Sequence, residues 1–153
     1  MKKIQISLTL LILAGLLQAQ INTGDDGKYY ADNNSLYNGM YTESFSNGNI
    51  RMTMELKNGV ADGQTLIYNE SGKLLESRSY LEGKFSGTWI SFNAEGIKVA
   101  EAHYLNNLKD GKWLIWDESG KLRYEMEYVA GQKKGVWKEW DGNGNLIREK
   151  KYE

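Results

Sequence analysis

The 153-residue chain contains no cysteine, no proline and a single histidine. The missing thiols exclude disulfides, thiolate metal sites and cysteine nucleophiles together. One histidine cannot supply a zinc site's paired ligands, and a histidine base needs a second group to orient it. Lysine and arginine (19) nearly balance aspartate and glutamate (20), for a net charge of −1. With no excess of either sign, nothing in the charge points to nucleic acid. The absence of proline removes the residue that most often interrupts strand pairing. What the chain has instead is 17 glycines, 5 tryptophans and 10 tyrosines, and their order decides the fold.

The single long apolar run lies at the start. "MKK" is basic, "IQISLTLLILAGLL" is apolar but short for a bilayer, and "LQAQ" puts small Ala19 at a cleavage point. That order predicts a signal peptide over residues 1–19. The protein is therefore expected to be exported, to the periplasm, the cell surface or the medium. No cysteine follows Ala19, so no lipid anchor is expected, and the mature chain carries no transmembrane segment.

The remaining chain repeats itself. Gly39, Gly63, Gly87, Gly111 and Gly135 are spaced by 24 residues, and so are Gly48, Gly72, Gly96, Gly120 and Gly144. Gly59, Gly83 and Gly131 hold a third register, with Asn107 in the remaining slot. Thirteen of the 17 glycines thus belong to the period, so they mark backbone geometry and not a flexible linker. Counting the first glycine of each copy as position 1, position 3 carries Tyr41, Thr65, Trp89, Trp113 and Trp137. Position 6 carries Ser44, Tyr68, Phe92, Trp116 and Trp140, and position 18 carries Leu56, Tyr80, Tyr104, Tyr128 and Tyr152. Five copies result, over 39–62, 63–86, 87–110, 111–134 and 135–153. Residues 20–38 read as a linker with a short capping hairpin, because terminal repeats are usually atypical.

Each copy reads as a β-hairpin. In the fourth, "KWLIW" is a short aromatic strand, and "DESG" is a turn whose glycine can take positive φ. "KLRYEMEY" follows as the returning strand. Its period of two sets Leu122, Tyr124, Met126 and Tyr128 on one face and Arg123, Glu125 and Glu127 on the other. "VAGQKKG" turns the chain back. No segment has a helical period long enough to cover a sheet. The expected fold is all-β: a single-layer, elongated antiparallel meander of hairpins with an aromatic stripe on one face. Its turn glycines Gly48, Gly72, Gly96, Gly120 and Gly144 serve geometry, not chemistry.

The pattern G-x-W-x-x-[YFW]-x-x-x-G-x-[LI]-x-x-E-x-x-Y-x-x-G resembles the MORN repeat in its bacterial variant. That variant is similar to the arrays of YwqK-family antitoxins. The resemblance runs from Gly39 to Tyr152. It departs at Ser44, which replaces an aromatic, at Lys98, which replaces an aliphatic, and at Asn107, which replaces a glycine. It implies an open sheet of hairpins that works as a scaffold or binding module. The repeat brings no catalytic residue with it, so none is carried over.

Chemistry should break a repeat, because a site needs a constellation in one place. His103 breaks position 17, but in a slot filled elsewhere by Glu55, Ser79, Glu127 and Lys151, which reads as solvent-facing. Glu101, Glu125 and Glu149 recur at position 15 and read as a solvated ladder. "DGNGN" opens like a calcium loop, yet Leu146 and Tyr152 occupy the places that need Gly and Glu. Asp25, Asp26 and Asp32 lie in a polar stretch that reads as a linker. No catalytic residue, metal site or cofactor is therefore expected.

Half-exposed aromatic side chains remain as anchors for a partner. The candidates are Trp89, Trp113, Trp116, Trp137, Trp140, Tyr104 and Tyr128. The expected activity is non-enzymatic binding of a protein partner through the aromatic face. A toxin-neutralising antitoxin and a module for an envelope glycan are the alternatives.

Overall fold

The computed structural model describes residues 21–153; the expected signal peptide falls outside them. Two short strands come first, β1 (Asn22–Thr23) and β2 (Tyr29–Tyr30), paired as a separate hairpin. The main sheet follows in chain order: β3 (Gly39–Ser44), β4 (Ile50–Lys57), β5 (Val60–Tyr68), β6 (Leu74–Leu81), β7 (Lys84–Phe85) and β8 (Gly87–Phe92). It continues with β9 (Lys98–Leu105), β10 (Leu108–Lys109), β11 (Gly111–Trp116), β12 (Leu122–Val129), β13 (Gln132–Trp140) and β14 (Leu146–Tyr152). Every pairing is antiparallel between chain neighbours, with β7 and β10 as the short first halves of the strands entering the third and fourth copies. The expected meander of hairpins is what forms. No second layer lies over it among the described residues.

The local chemistry explains each bend. At the first turn, Asn69, Asn93, Asp117 and Asp141 accept backbone N–H bonds from residues two and four places on. Asp117 Oδ1 does so at 3.0 Å from both Ser119 and Lys121. The glycine that closes this turn takes positive φ, +81° at Gly120, as its place in "DESG" requires. The second turn has two central residues, both with positive φ: Asn58–Gly59, Glu82–Gly83, Asn106–Asn107 and Ala130–Gly131. This is the mirror-image turn whose twist matches that of the strands. Neighbouring second turns are tied together, because Gly59, Gly83, Asn107 and Gly131 each donate an N–H to a carbonyl of the preceding copy or cap. First turns are linked as well: Lys73 Nζ reaches Ala94 O and Lys121 Nζ reaches Gly142 O.

Two irregularities recur and set the side-chain directions. Every hairpin carries a bulge on its returning strand. In the fourth copy Ile115 pairs with Tyr124 and Trp116 with Leu122, leaving Arg123 as the extra residue. The bulge reverses the alternation. Leu122 therefore leaves the face of Tyr124, Met126 and Tyr128 on which a plain period of two would keep it. The second irregularity surrounds the first glycine of the second to fifth copies; in the second, Asp62, Gly63 and Gln64 together face the single Glu55.

The sheet has almost no interior. Among the described residues only Leu56, Gly59, Thr65 and Tyr128 are buried. Stability must then come from contacts between adjacent copies, each of which buries its rings only against its neighbours.

Candidate functional site

The aromatic side chains fall on both faces. Trp113 and Trp116 lie three residues apart on one uninterrupted strand, as do Trp137 and Trp140. Strand alternation sends such a pair to opposite sides. Trp89, Trp113, Trp137, Tyr104 and Tyr128 share one side, the ladder face. Trp116 and Trp140 lie on the other, with Glu101, Glu125 and Glu149. The single aromatic stripe expected from sequence is therefore corrected to a stripe without Trp116 and Trp140. Lys98 illustrates the second face: its Nζ sits 4.4 Å over the Trp116 ring and 2.9 Å from Glu101 Oε2.

On the ladder face, position-3 and position-18 rings alternate without a gap from Tyr80 onward. Centroid distances are 4.9 Å for Trp89–Tyr104, 5.3 Å for Tyr104–Trp113 and 5.4 Å for Trp113–Tyr128. They are 5.2 Å for Tyr128–Trp137 and 4.7 Å for Trp137–Tyr152. Ring planes meet at 50° to 63° in these five pairs, so neighbours are tilted against one another, and Tyr104–Trp113 comes closest to edge-to-face, an arrangement the ring quadrupole favours. Each position-3 indole also donates its N–H across to the preceding copy: Trp89 to Ser79 O at 3.3 Å, Trp113 to His103 O at 3.1 Å and Trp137 to Glu127 O at 3.1 Å. These tryptophans hold copy to copy. Burial raises the pKa of the Tyr104 phenol, in keeping with a ring enclosed by its neighbours.

Thr65 interrupts the ladder. It occupies position 3 of the second copy and is almost fully buried, and its Oγ1 has no hydrogen-bond partner among the described residues. On the N-terminal side of this gap, Tyr29 packs on Tyr41 with centroids 4.9 Å apart. Tyr29 stands there in the role that position 18 plays elsewhere.

Cations cover the rings. Lys109 Nζ lies 4.0 Å from the Trp113 centroid and 4.8 Å from that of Tyr128. Lys133 Nζ lies 4.6 Å from Trp137 and 5.2 Å from Tyr152, and Lys150 Nζ lies 5.1 Å from Tyr152. Such placements contribute about 0.5–1 kcal/mol each at exposed sites. Beside them runs an open groove of about 310 Å³, whose lining includes Tyr124, Met126, Trp137, Arg148, Lys150 and Tyr152.

The opposite face is organised by ion pairs. Leu114 stands between Glu101 and Glu125, and Lys138 between Glu125 and Glu149. Lys112 Nζ is 3.0 Å from Glu125. His103 is less isolated than its slot suggests, with Nδ1 3.3 Å from Thr88 Oγ1 and Nε2 3.3 Å from Glu101 Oε1. A hydrogen bond from Lys98, the largest effect, holds the Glu101 carboxyl below its usual pKa, and His103 adds to it. Thr88 and His103 are cross-strand partners, so the contact ties β8 to β9.

The other candidates resolve into turns. Asp141 in "DGNGN" spends Oδ1 on the N–H groups of Asn143 and Asn145. Asp26 accepts from Lys28 N–H and Tyr30 O–H. Among the described residues no group of three His, Asp or Glu side chains is placed to hold a metal ion. None of the helix-forming stretches needed to cross a membrane as a long apolar helix occurs there either.

Sequence reasoning missed two things. One is the lysine at position 23, hidden because its slot holds Phe85 in the second copy and Lys109 and Lys133 in later ones. The other is the role of position 17, whose side chain lies against the first glycine of the next copy: Ser79 against Gly87 and His103 against Gly111. The shared spacing of these pairs was the available signal.

With this geometry in view, the comparisons are narrow. The family model described as MORN repeat variant matches residues 61–82, 109–130 and 133–153. These segments each contain a second turn or the strand that runs from it, so the match follows the structural unit. Repeats of this family are commonly protein-binding or scaffold modules and are generally non-enzymatic. No curated protein matches the chain.

Proposed function

We propose that the protein is an exported, non-enzymatic interaction module that holds a protein partner against its ladder face. One observation carries this reading: the sheet is a single layer, so the ring ladder and its groove stay open to solvent where a globular domain would cover them. Half-buried Trp89, Tyr104, Trp113 and Trp137, with basic neighbours, have the composition of binding hot spots, whereas Tyr128, expected as an anchor, is buried within the ladder. Export rests on the basic–apolar–small order of residues 1–19. An antitoxin or a glycan-binding module would also be non-catalytic. The rings argue against the glycan, because they are tilted against one another and overlaid by lysines, and so present no flat platform.

Site-specific photo-crosslinking in the source cell tests the reading. Tyr124 is exposed on the ladder face and Lys112 on the other. A crosslinker at Tyr124 should give a discrete adduct with a second protein, and one at Lys112 should not. The recovered protein should have the mass of a chain cleaved after Ala19. Absence of an adduct from Tyr124 overturns the assignment of the face; a full-length chain overturns export.

A further inference from the structure

We infer that the ladder face takes an acidic peptide in the polyproline II conformation, with a carboxylate at every third residue. The inference rests on the interaction reading above and names the chemistry of its partner. Lys109, Lys133 and Lys150 all lie over ladder rings, and none has a carboxylate within 4.0 Å among the described residues. The other ladder-face cations are neutralised, Arg78 over Trp89 by Glu76 and Arg148 in the groove by Glu139, so the uncompensated charge lies with these three lysines at the third to fifth copies. A row of uncompensated ammonium groups along an aromatic stripe complements a negatively charged, extended partner.

The spacing selects the conformation. Lys109 and Lys133 occupy one repeat position, so they stand two strand spacings apart, about 10 Å. The rings beneath them agree, with steps of 5.4 Å and 5.2 Å from Trp113 through Tyr128 to Trp137. A β-strand repeats on one face at about 6.6 Å and then at about 13 Å, and its third residue points the other way. It cannot place successive carboxylates on this row. A polyproline II helix has three residues per turn and rises about 9.3 Å per turn, so every third side chain returns to the same face at nearly the lysine spacing. Aromatic-lined grooves are the surfaces on which such helices dock.

The test uses the folded mature chain and a synthetic peptide of about five Glu-Pro-Pro triplets, read by tryptophan fluorescence. Controls carry lysine in place of glutamate, or glutamate at every fourth residue. The triplet peptide should bind, and salt should weaken it. The fourth-residue peptide should bind about tenfold more weakly, and the lysine peptide should not bind. Replacing Lys109, Lys133 and Lys150 together by glutamine should lower affinity about tenfold, while arginine at the same places should retain it. Circular dichroism of both variants confirms that each is folded. Equal binding of the two glutamate spacings overturns the conformational assignment. No binding of the triplet peptide, or binding of anionic vesicles or a polyuronate in its place, overturns the partner class. If that happens while Tyr124 still yields its protein adduct, the interaction reading stands without this inference.

Discussion

Replacing Gly63 and Gly144 by alanine, one at a time, separates two kinds of glycine in this repeat. Gly144 closes a first turn with φ of +89°, and a Cβ there meets nothing within 4 Å. Its cost is backbone strain alone, about 1–2 kcal/mol for an L-residue in the left-handed region. The stiffer unfolded chain returns about 0.4–1 kcal/mol. The net loss should be about 1 kcal/mol. Gly63 has φ of +116°, well away from the small left-handed well near +60°. Strain there costs about 1–3 kcal/mol. Its Cβ would also stand 3.0 Å from Glu55 Cβ and closer still to the Glu55 carboxylate. The carboxylate can swing away, but the Cβ is fixed by the β4 backbone. Crowding of this kind adds about 1–3 kcal/mol. The Gly63→Ala loss should therefore be about 2–5 kcal/mol, at least twice that of Gly144→Ala. Urea unfolding followed by circular dichroism measures both, with slopes compared to confirm that the same surface unfolds. Adding Glu55→Gly to Gly63→Ala should recover the crowding part and leave the strain. Equal losses at the two sites, or no recovery in the double variant, would refute the argument from close approach.

Two further perturbations test the ladder and the turns. Thr65→Val removes a buried hydroxyl without a partner while keeping the shape, so the urea midpoint should rise by the equivalent of about 1 kcal/mol; a fall would mean that the hydroxyl is satisfied. Hydrogen bonds from Ser119 and Lys121 depress the pKa of Asp117, and those from Asn145 and Asn143 depress that of Asp141. A carboxyl with a lowered folded-state pKa contributes stability above its unfolded value of about 3.9 and loses it as pH falls through the folded value. Asn69 and Asn93 serve the same turns without titrating, so Asp117→Asn with Asp141→Asn should flatten the fall in stability below about pH 4. Thermal unfolding between neutral pH and about pH 3 checks this, and an unchanged acid slope would count against it.

The period, the hairpins and the meander follow from the sequence because each depends on local geometry. A glycine every 24 residues at a turn, and alternation between turns, leave the chain few other paths. The positive φ of Gly120 was readable from "DESG" for the same reason. Which side chains share a face was not. A bulge adds one residue to the returning strand without any mark in the letters, and from that point a count of two assigns Leu122 to the wrong side. The division of the tryptophans between faces, by contrast, follows from their spacing of three once the strand is known to be unbroken. The tertiary structure alone decided that Lys109 and Lys133 lie over the rings. Each ammonium group reaches out of its own copy and lies over two rings of the next one, Lys109 over Trp113 and Tyr128 and Lys133 over Trp137 and Tyr152. Such contacts depend on how one copy packs against the next, which the paired sheet decides.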